Sequence, residues 1–505
     1  MSRGMADPVA SSIFSQVLLT ASPLLLYPLG VIIYNIYFHP LSKYPGSKSW
    51  AATYVPYIKN LLNYTLVSSL SDIHEQYGDV VRVGPNEVSF ATEEAWRDIY
   101  DYRPGHKETI KDPTWYIAVD GAPQNIVTTR DPKVRARMRK FLGYSFTEAA
   151  LKDQAPIIEG HTDLFISRLR DMDKGAGALA DMTDWINFLA VDIIGDLAFG
   201  ESFGCLESSG YHLWVQTLYS FIEGMVFAAS ARYYPWVSVI IEKFFLPKSV
   251  MDAQKRHVDF ANEKINKRLD LQTSRPDFLT PFLKHDPDFE RMSKGEIQST
   301  FAMIIPAGSE NQATVICGIL NQLTKYTDKL AKLEKVIRER FQAEDDISIE
   351  STTDIPYLDA VISEGLRLCN PVCGGLPRTV PPGGDIYAGK YLPEGTKLTV
   401  RPYILRRSSK NFARATEFHP ERWLPDRPEE FANDNFEVSK PFSTGPTGCL
   451  GKPLAWAEMR LFISRLVWAF DLSVDPDRAL DWNKVRILMN VEKGPMWMRL
   501  KARRT

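Results

Sequence analysis

Residues 441–455 read PFSTGPTGCLGKPLA, from Pro441 to Ala455, and one side chain among them, Cys449, needs an exceptional environment. Gly445, Gly448 and Gly451 leave the backbone free to fold tightly round a sulfur and to approach a flat ligand closely. An apolar pattern begins at once: Ala455, Met459, Phe462, Ile463, Leu466 and Phe470 recur at helical spacing. Pro453 stands in the first turn, whose N–H groups are unpaired in any case. Cys449 therefore lies just before a helix N-terminus. Free amides and the positive end of the helix dipole favour an anion there, so the thiol is expected to be held as a thiolate.

A thiolate is a metal-ligand state. A structural zinc site needs four ligands and this segment offers one, whereas a single thiolate on a metal otherwise fully coordinated suggests haem iron. FSTGPTGCLG resembles the Phe-x-x-Gly-x-x-x-Cys-x-Gly haem loop of the cytochrome P-450 superfamily, with Phe442, Gly445, Cys449 and Gly451 in the matching places. The position two before the cysteine, often basic in that family, is Thr447. Taken alone, Cys449 reads more simply as a buried structural cysteine in a Gly-rich turn. Three further motifs reverse that.

The first is AGSENQAT, Ala307 to Thr314, which interrupts a long helical pattern from Ser293 to Thr324. Gly308 lets another group come close, and Glu310 is an acid in an apolar stretch, where a carboxylate needs a partner or a role. Pro306 removes one backbone N–H just before it. The segment resembles the family's Ala-Gly-x-Glu/Asp-Thr-Thr motif, in which the acid and the following threonine help deliver protons to dioxygen. Here Asn311 takes the threonine's place. An amide donates a hydrogen bond but does not pass a proton on as a hydroxyl does, so the expectation is that Asn311 holds oxygen or substrate.

The second is EGLR, Glu364 to Arg367, with PERW, Pro420 to Trp423. A Glu and an Arg three apart on a helix make, by themselves, a weak surface pair. The match to the family's Glu-x-x-Arg implies instead a buried network of Glu364, Arg367 and Arg422 that fixes the backbone around the cysteine loop.

The third is RDPKVRARMRKFL, Arg130 to Leu142, which puts Arg135 and Arg139 on one helical face and turns Arg137 away. By charge alone this is a solvated basic face, or one that an anion would relieve. The resemblance implies that Arg135 and Arg139, with Arg378 further on, bind the haem propionates.

Around these motifs the chain is ordinary. It has 505 residues, 44% hydrophobic and 24% charged, and a net charge of −2 argues against nucleic acid as a partner. Its five cysteines are too few and scattered for a disulfide framework, which points to a reducing compartment. No charge occurs from Pro8 to Phe38, a run long enough to span a bilayer, with Lys43 and Lys48 following it. The organisation expected is a transmembrane helix within 1–38, a proline-punctuated hinge over 39–50 and a catalytic domain over 51–505. The resemblance to membrane-bound fungal members implies a single-pass anchor in the endoplasmic reticulum membrane with the domain cytosolic.

Asp79 to Ala91 alternates around Gly84-Pro85-Asn86 as a hairpin, Thr92 reads as an N-cap, and Gly105 to Thr129 reads as a disordered or substrate-facing loop. Thr183 to Phe203 reads as an amphipathic helix ending at Gly200. Tyr211 to Phe245 is dense in aromatics, including Trp214, Tyr219, Phe221, Phe227, Tyr233, Tyr234 and Trp236, which suit either a core or an apolar lid broken at Pro235 and Pro247. Val372, Gly374, Gly375 and Leu376 are expected to face substrate, with Met489 or Asn490 near them.

The fold expected is a single, mainly α domain with small β-sheets. The resemblance implies a haem-thiolate monooxygenase that inserts one oxygen atom of O2 into an apolar small molecule, as in fungal secondary-metabolite biosynthesis. Its cofactor is haem b, with electrons from NADPH through a flavoprotein reductase. Two other readings are a haem-thiolate isomerase or dehydratase needing no external electrons, and a non-enzymatic haem-binding sensor.

Overall fold

The computed structural model describes residues 26–503 apart from 119–122, 176, 213–223, 242–247, 272–274 and 489. Trp214, Tyr219, Phe221, Pro247 and Met489 lie outside the described residues.

A five-stranded sheet forms the front of the molecule. β1 (Val80–Gly84) and β2 (Glu87–Phe90) make the expected antiparallel hairpin. Thr92 caps α1 (Glu93–Tyr100) by accepting from the Ala95 N–H, and β3 (Ile110–Lys111) follows. Helices then dominate: α2 (Pro132–Leu142), α3 (Glu148–Met172), the short strand β4 (Ala178–Asp181), α4 (Met182–Phe199), α5 (Lys248–Asp270), α6 (Lys294–Lys325) and α7 (Pro356–Leu368). β5 (Arg378–Thr379) and β6 (Lys397–Val400) return to the first sheet, giving the order β1-β2-β6-β5-β3. The chain closes with α8 (Lys452–Ala469), β7 (Phe470–Val474) and β8 (Trp497–Ala502), and β8 pairs with both β4 and β7.

The core is a helix stack in which α6 packs against α4, α5 and α7, and α8 packs against α3. Two expectations are corrected here. α4 is not amphipathic: apart from the half-buried Asp184 and Asp196 it is buried on every side, because it runs between α3 and α6. Its polar side chains are matched internally, Asp192 accepting from the N–H groups of Cys205 and Leu206 at 3.0 and 2.8 Å. Gly200 ends it in the left-handed conformation, as expected. α6 is not interrupted at Ala307–Thr314. It runs unbroken for 32 residues from a Ser293–Glu296 capping box. Gly308 is where α4 comes closest, since a Cβ there would lie 2.6 Å from Ile194 Cδ1.

The amino-terminal segment is described only in part. Residues 8–25 of the apolar run lie outside the described residues, and among the described residues no helix is long and apolar enough to cross a membrane. Residues 26–33 are helical, and Tyr34–Phe38 form a π-helical turn that belongs to the domain's edge. Asn35 is buried there, donating to the Ala52 carbonyl and accepting from Arg82 at 2.9 and 2.8 Å. The segment 39–50 is a docked strap and not a loose linker, because Leu41, Tyr44 and Trp50 are buried and the Tyr44 hydroxyl donates to the Tyr391 carbonyl.

Within α8, Glu458 is buried, and desolvation alone pushes its carboxyl up to about 8. A native pKa above the unfolded one means that the folded chain holds the extra proton, so stability falls as pH rises through that window. Glu458→Gln is expected to remove this decline, worth on the order of 4 kcal/mol between about pH 4.5 and 8. Urea midpoints at pH 5 and pH 8 read it; equal slopes in both proteins contradict it.

Candidate active site

The cysteine loop is built by its neighbours. Gly445 adopts φ +66°, and a Cβ there would lie 2.2 Å from the Tyr100 carbonyl, so the loop meets the end of α1 at a glycine. Trp96 of α1 donates its indole N–H to Thr444 Oγ1 at 3.0 Å. The Cys449 N–H donates to the Phe442 carbonyl at 2.8 Å and closes the turn, and Gly451 is the N-cap of α8. Cys449 is exposed along one side, while the N–H groups of Gly451 and Lys452 hydrogen-bond to it.

The expected thiolate is only partly supplied by this frame. Burial pushes the Cys449 thiol up, against the lowering by the Gly451 and Lys452 amides and the Arg139 guanidinium. Ionisation is left to a bound metal, which displaces the proton of a coordinating thiol.

Beside the loop lies a cluster of cations. Arg139 donates to the Gly448 carbonyl, and Arg378 donates to Thr447 Oγ1 at 3.1 Å. The hydroxyl at the departing position is thus used by an arginine from β5. Arg135 is buried and paired with Glu108 at 2.7 Å, so the like-charge cost expected along α2 is relieved by a carboxylate of the chain itself. Arg137, expected to turn away, pairs with Glu296 in the first turn of α6. Lys111, which no motif marked, donates to the Ile126 and Val127 carbonyls at 2.8 and 2.7 Å. Burial and the nearby Arg378, Arg135 and Arg139 pull its ammonium down to about 7. A flat group carrying carboxylates at its edge fits this cluster of basic side chains, and a metal within that group fits a sulfur open on one side.

α6 carries the acid and the amide. Glu310 is not alone: Lys493 pairs with its Oε1, while Oε2 is buried with no hydrogen-bond partner among the described residues. The Asn311 amide donates back to the Ala307 carbonyl at 2.9 Å, and its oxygen accepts from Asn490 at 3.2 Å. Gln312, the next residue, donates to the Ala455 carbonyl in the first turn of α8, which ties the motif to the cysteine loop. Pro306 has no N–H for the Ala302 carbonyl one turn back, and the Ala302 backbone lies near the His257 imidazole of α5 and raises its pKa against burial. Burial holds that imidazole down to about 4.

A cavity of about 1080 Å³ opens over the amino-terminal part of α6, at Gly295, Gln298, Ser299, Ala302 and Met303, about two turns or more before the acid. Val372, Gly374, Gly375, Leu376 and Asn490 line it as expected, and so do residues of the 105–129 loop, among them Tyr116, Asn125 and Thr128. Tyr233 is core, while Trp236 is 69% exposed and Phe227 43%, so the described aromatics divide between the two roles expected of them.

The Glu364 network is buried throughout. Arg367 makes a two-pronged contact with Glu364 at 2.8 and 2.7 Å, and Arg422 adds a bond at 3.1 Å. His419 N–H and Trp423 Nε1 fill the remaining acceptor positions at 2.9 Å each. Arg367 also donates to the carbonyls of Arg406, Ala415 and Glu417. Asn370, two residues beyond α7, donates to the Pro441 carbonyl at 3.3 Å, which links this region to the start of the cysteine loop.

Comparison with known proteins agrees with this architecture. Residues 51–496 match the family model described as Cytochrome P450. Cytochrome P450 monooxygenase astJ of Aspergillus oryzae is 39% identical over 490 residues, covering 97% of each chain. Averantin hydroxylase of Dothistroma septosporum is 37% identical over 95% of this chain and 90% of its own. Cytochrome P450 monooxygenase stcF of Emericella nidulans is 38% identical over 95% and 99%. With a cysteine loop of the family's form and a family match over most of its length, the chain belongs to the cytochrome P450 family.

Proposed function

We propose that the protein is a haem-thiolate monooxygenase acting on a bulky, largely apolar small molecule in fungal secondary metabolism. The observation that carries this is Cys449, exposed just before α8 in a loop held by Arg139 and Arg378. Haem b bound there supplies dioxygen activation, with electrons from NADPH through a flavoprotein reductase. Cys449 would hold its iron through the sulfur, and Phe442 and Gly451 shape the turn that presents it. Arg139 and Arg378, with Arg135 and Lys111, hold its carboxylates. Glu310 is the acid that would relay protons in this site, its Oε2 having no hydrogen-bond partner among the described residues. The apolar cavity wall excludes water, and its volume accommodates a multi-ring compound. The names of the relatives, averantin hydroxylase and the monooxygenases astJ and stcF, support a hydroxylation or related oxidation.

The test is the reduced carbon-monoxide spectrum of the purified protein, followed by NADPH-dependent product formation in membranes with reductase. The metabolite that accumulates when the protein is absent identifies the substrate. A spectrum without the thiolate signature rejects the proposal.

Asn311 favours one second reading, an isomerase or dehydratase needing no external electrons, because its amide is engaged with Ala307 and Asn490. Turnover without NADPH would select it. A haem-binding sensor has no use for the cavity. Asn311→Thr restores a hydroxyl beside Glu310 and is expected to change the product-to-peroxide ratio severalfold, within the range of one general acid–base contribution. Unchanged turnover and peroxide release would remove Asn311 from the mechanism.

We also propose an anchor in the endoplasmic reticulum membrane through the apolar run ending near residue 34, with the domain cytosolic. Exposed Leu26, Tyr27, Leu29 and Ile33 support it. Release of the full chain from membranes by an alkaline carbonate wash would contradict it.

A further inference from the structure

The proposed function uses Glu310 and says nothing of what holds it. Both partners of the Lys493–Glu310 pair are close to fully enclosed, at 3% and 11% side-chain exposure. Lys493 also donates to Thr314 Oγ1 at 2.9 Å, one turn further along α6, so its ammonium straddles two successive turns of that helix. Three residues earlier in the chain, Asn490 donates to Asn311 Oδ1. Adjacent side chains of α6 are thus each held by the same carboxy-terminal segment, nearly two hundred residues away.

That segment is firm on one side and open on the other. Beyond Lys493 it is fastened to β4 and the start of α4: Thr183 Oγ1 donates to the Gly494 carbonyl at 2.9 Å, and Met182 N–H to the Met496 carbonyl at 2.8 Å. Before Lys493 it faces the cavity through Leu488 and Asn490. A buried ammonium is expensive unless paired, and a carboxylate that has spent one oxygen on it keeps its orientation. Here the spent oxygen is Oε1, which leaves Oε2 buried and without a hydrogen-bond partner among the described residues.

We infer that Lys493 is the positioning residue for Glu310. It fixes which carboxylate oxygen is available to a water, while Asn490 holds the neighbouring amide. The assignment rests on the monooxygenase reading, and it names a residue that touches neither substrate nor cofactor.

Difference infrared spectroscopy of the full-length holoenzyme tests it without the native substrate. The Glu310 band is identified as the one missing from Glu310→Gln. In the wild type it is expected in the ionised carboxylate region. Lys493→Met leaves the buried acid without a counter-ion, and the band is expected to move to the protonated carbonyl region, since desolvation then favours the neutral form. Lys493→Arg is expected to keep it ionised, a rescue that a space-filling role would not show. Once the native product is known, Lys493→Met is expected to lower product per NADPH about tenfold, and Glu310→Gln/Lys493→Met to be no worse than Glu310→Gln alone. If Lys493→Met does not fold, Lys493→Gln replaces it with the same expected band shift.

A Glu310 band that stays ionised and unmoved in Lys493→Met or Lys493→Gln overturns the inference. The thiolate signature of the wild type is read separately, so loss of the monooxygenase reading and loss of this assignment are distinguishable.

Discussion

Cys449→Ala is expected to lose the reduced carbon-monoxide thiolate signature and all NADPH-dependent turnover while the fold survives. The expectation follows from how the loop is held. Its conformation depends on the Cys449 N–H to Phe442 carbonyl bond, the Gly445 turn against Tyr100, and the clamps from Trp96, Arg139 and Arg378, none of which involves the sulfur. Removing Sγ therefore deletes a ligand and leaves the cradle. The cations around it still attract a carboxylate-bearing group, so the variant is expected to retain some haem with a changed Soret band. Optical spectra before and after reduction under carbon monoxide, with a melting curve alongside, read both halves. A wild-type Soret band in Cys449→Ala would end the haem-thiolate reading.

The largest effect on stability is expected at the Glu364 network. Arg367→Met deletes the two-pronged partner of a fully buried carboxylate and orphans the carbonyls of Arg406, Ala415 and Glu417. Glu364 keeps Arg422, the His419 N–H and Trp423, so the charge is not wholly abandoned. Breaking one partner out of a buried ion pair costs about 3–5 kcal/mol, against roughly 0–1 for an exposed pair. Arg367→Lys keeps the charge without the fork and is expected to fall between. Chemical denaturation midpoints and the fraction of protein purified with haem measure the loss. A change under about 1 kcal/mol in Arg367→Met would mean that the network is no more than a surface-type pair. Because Asn370 joins this region to Pro441, haem retention is expected to fall with stability and not independently of it.

Much of the chemistry was legible along the chain. The cysteine loop, the acid on the long helix, and the Glu-x-x-Arg pair are short motifs whose meaning is local. What misled was environment. Thr183 to Phe199 carries enough polar residues to read as amphipathic, yet α4 is buried because two helices cover it and Asp192 finds its partners within the fold. Arg135 and Arg139 read as a like-charged pair awaiting an anion, whereas Glu108 already serves Arg135 from a loop. The 39–50 strap reads as a linker because its prolines and serines give no period, although Leu41, Tyr44 and Trp50 are buried.

By itself the sequence pointed to the mainly helical class and marked Cys449 as the sulfur expected to bind a metal, since the cysteine loop and the resemblance it carries depend on residue type and spacing within a few turns of chain. Only the tertiary structure decided that Lys493 pairs with Glu310 and that Lys111 joins the arginines. Charge pairing and desolvation act through space over a few ångströms, between residues that can be hundreds of positions apart, and no local pattern encodes which distant side chain will arrive there.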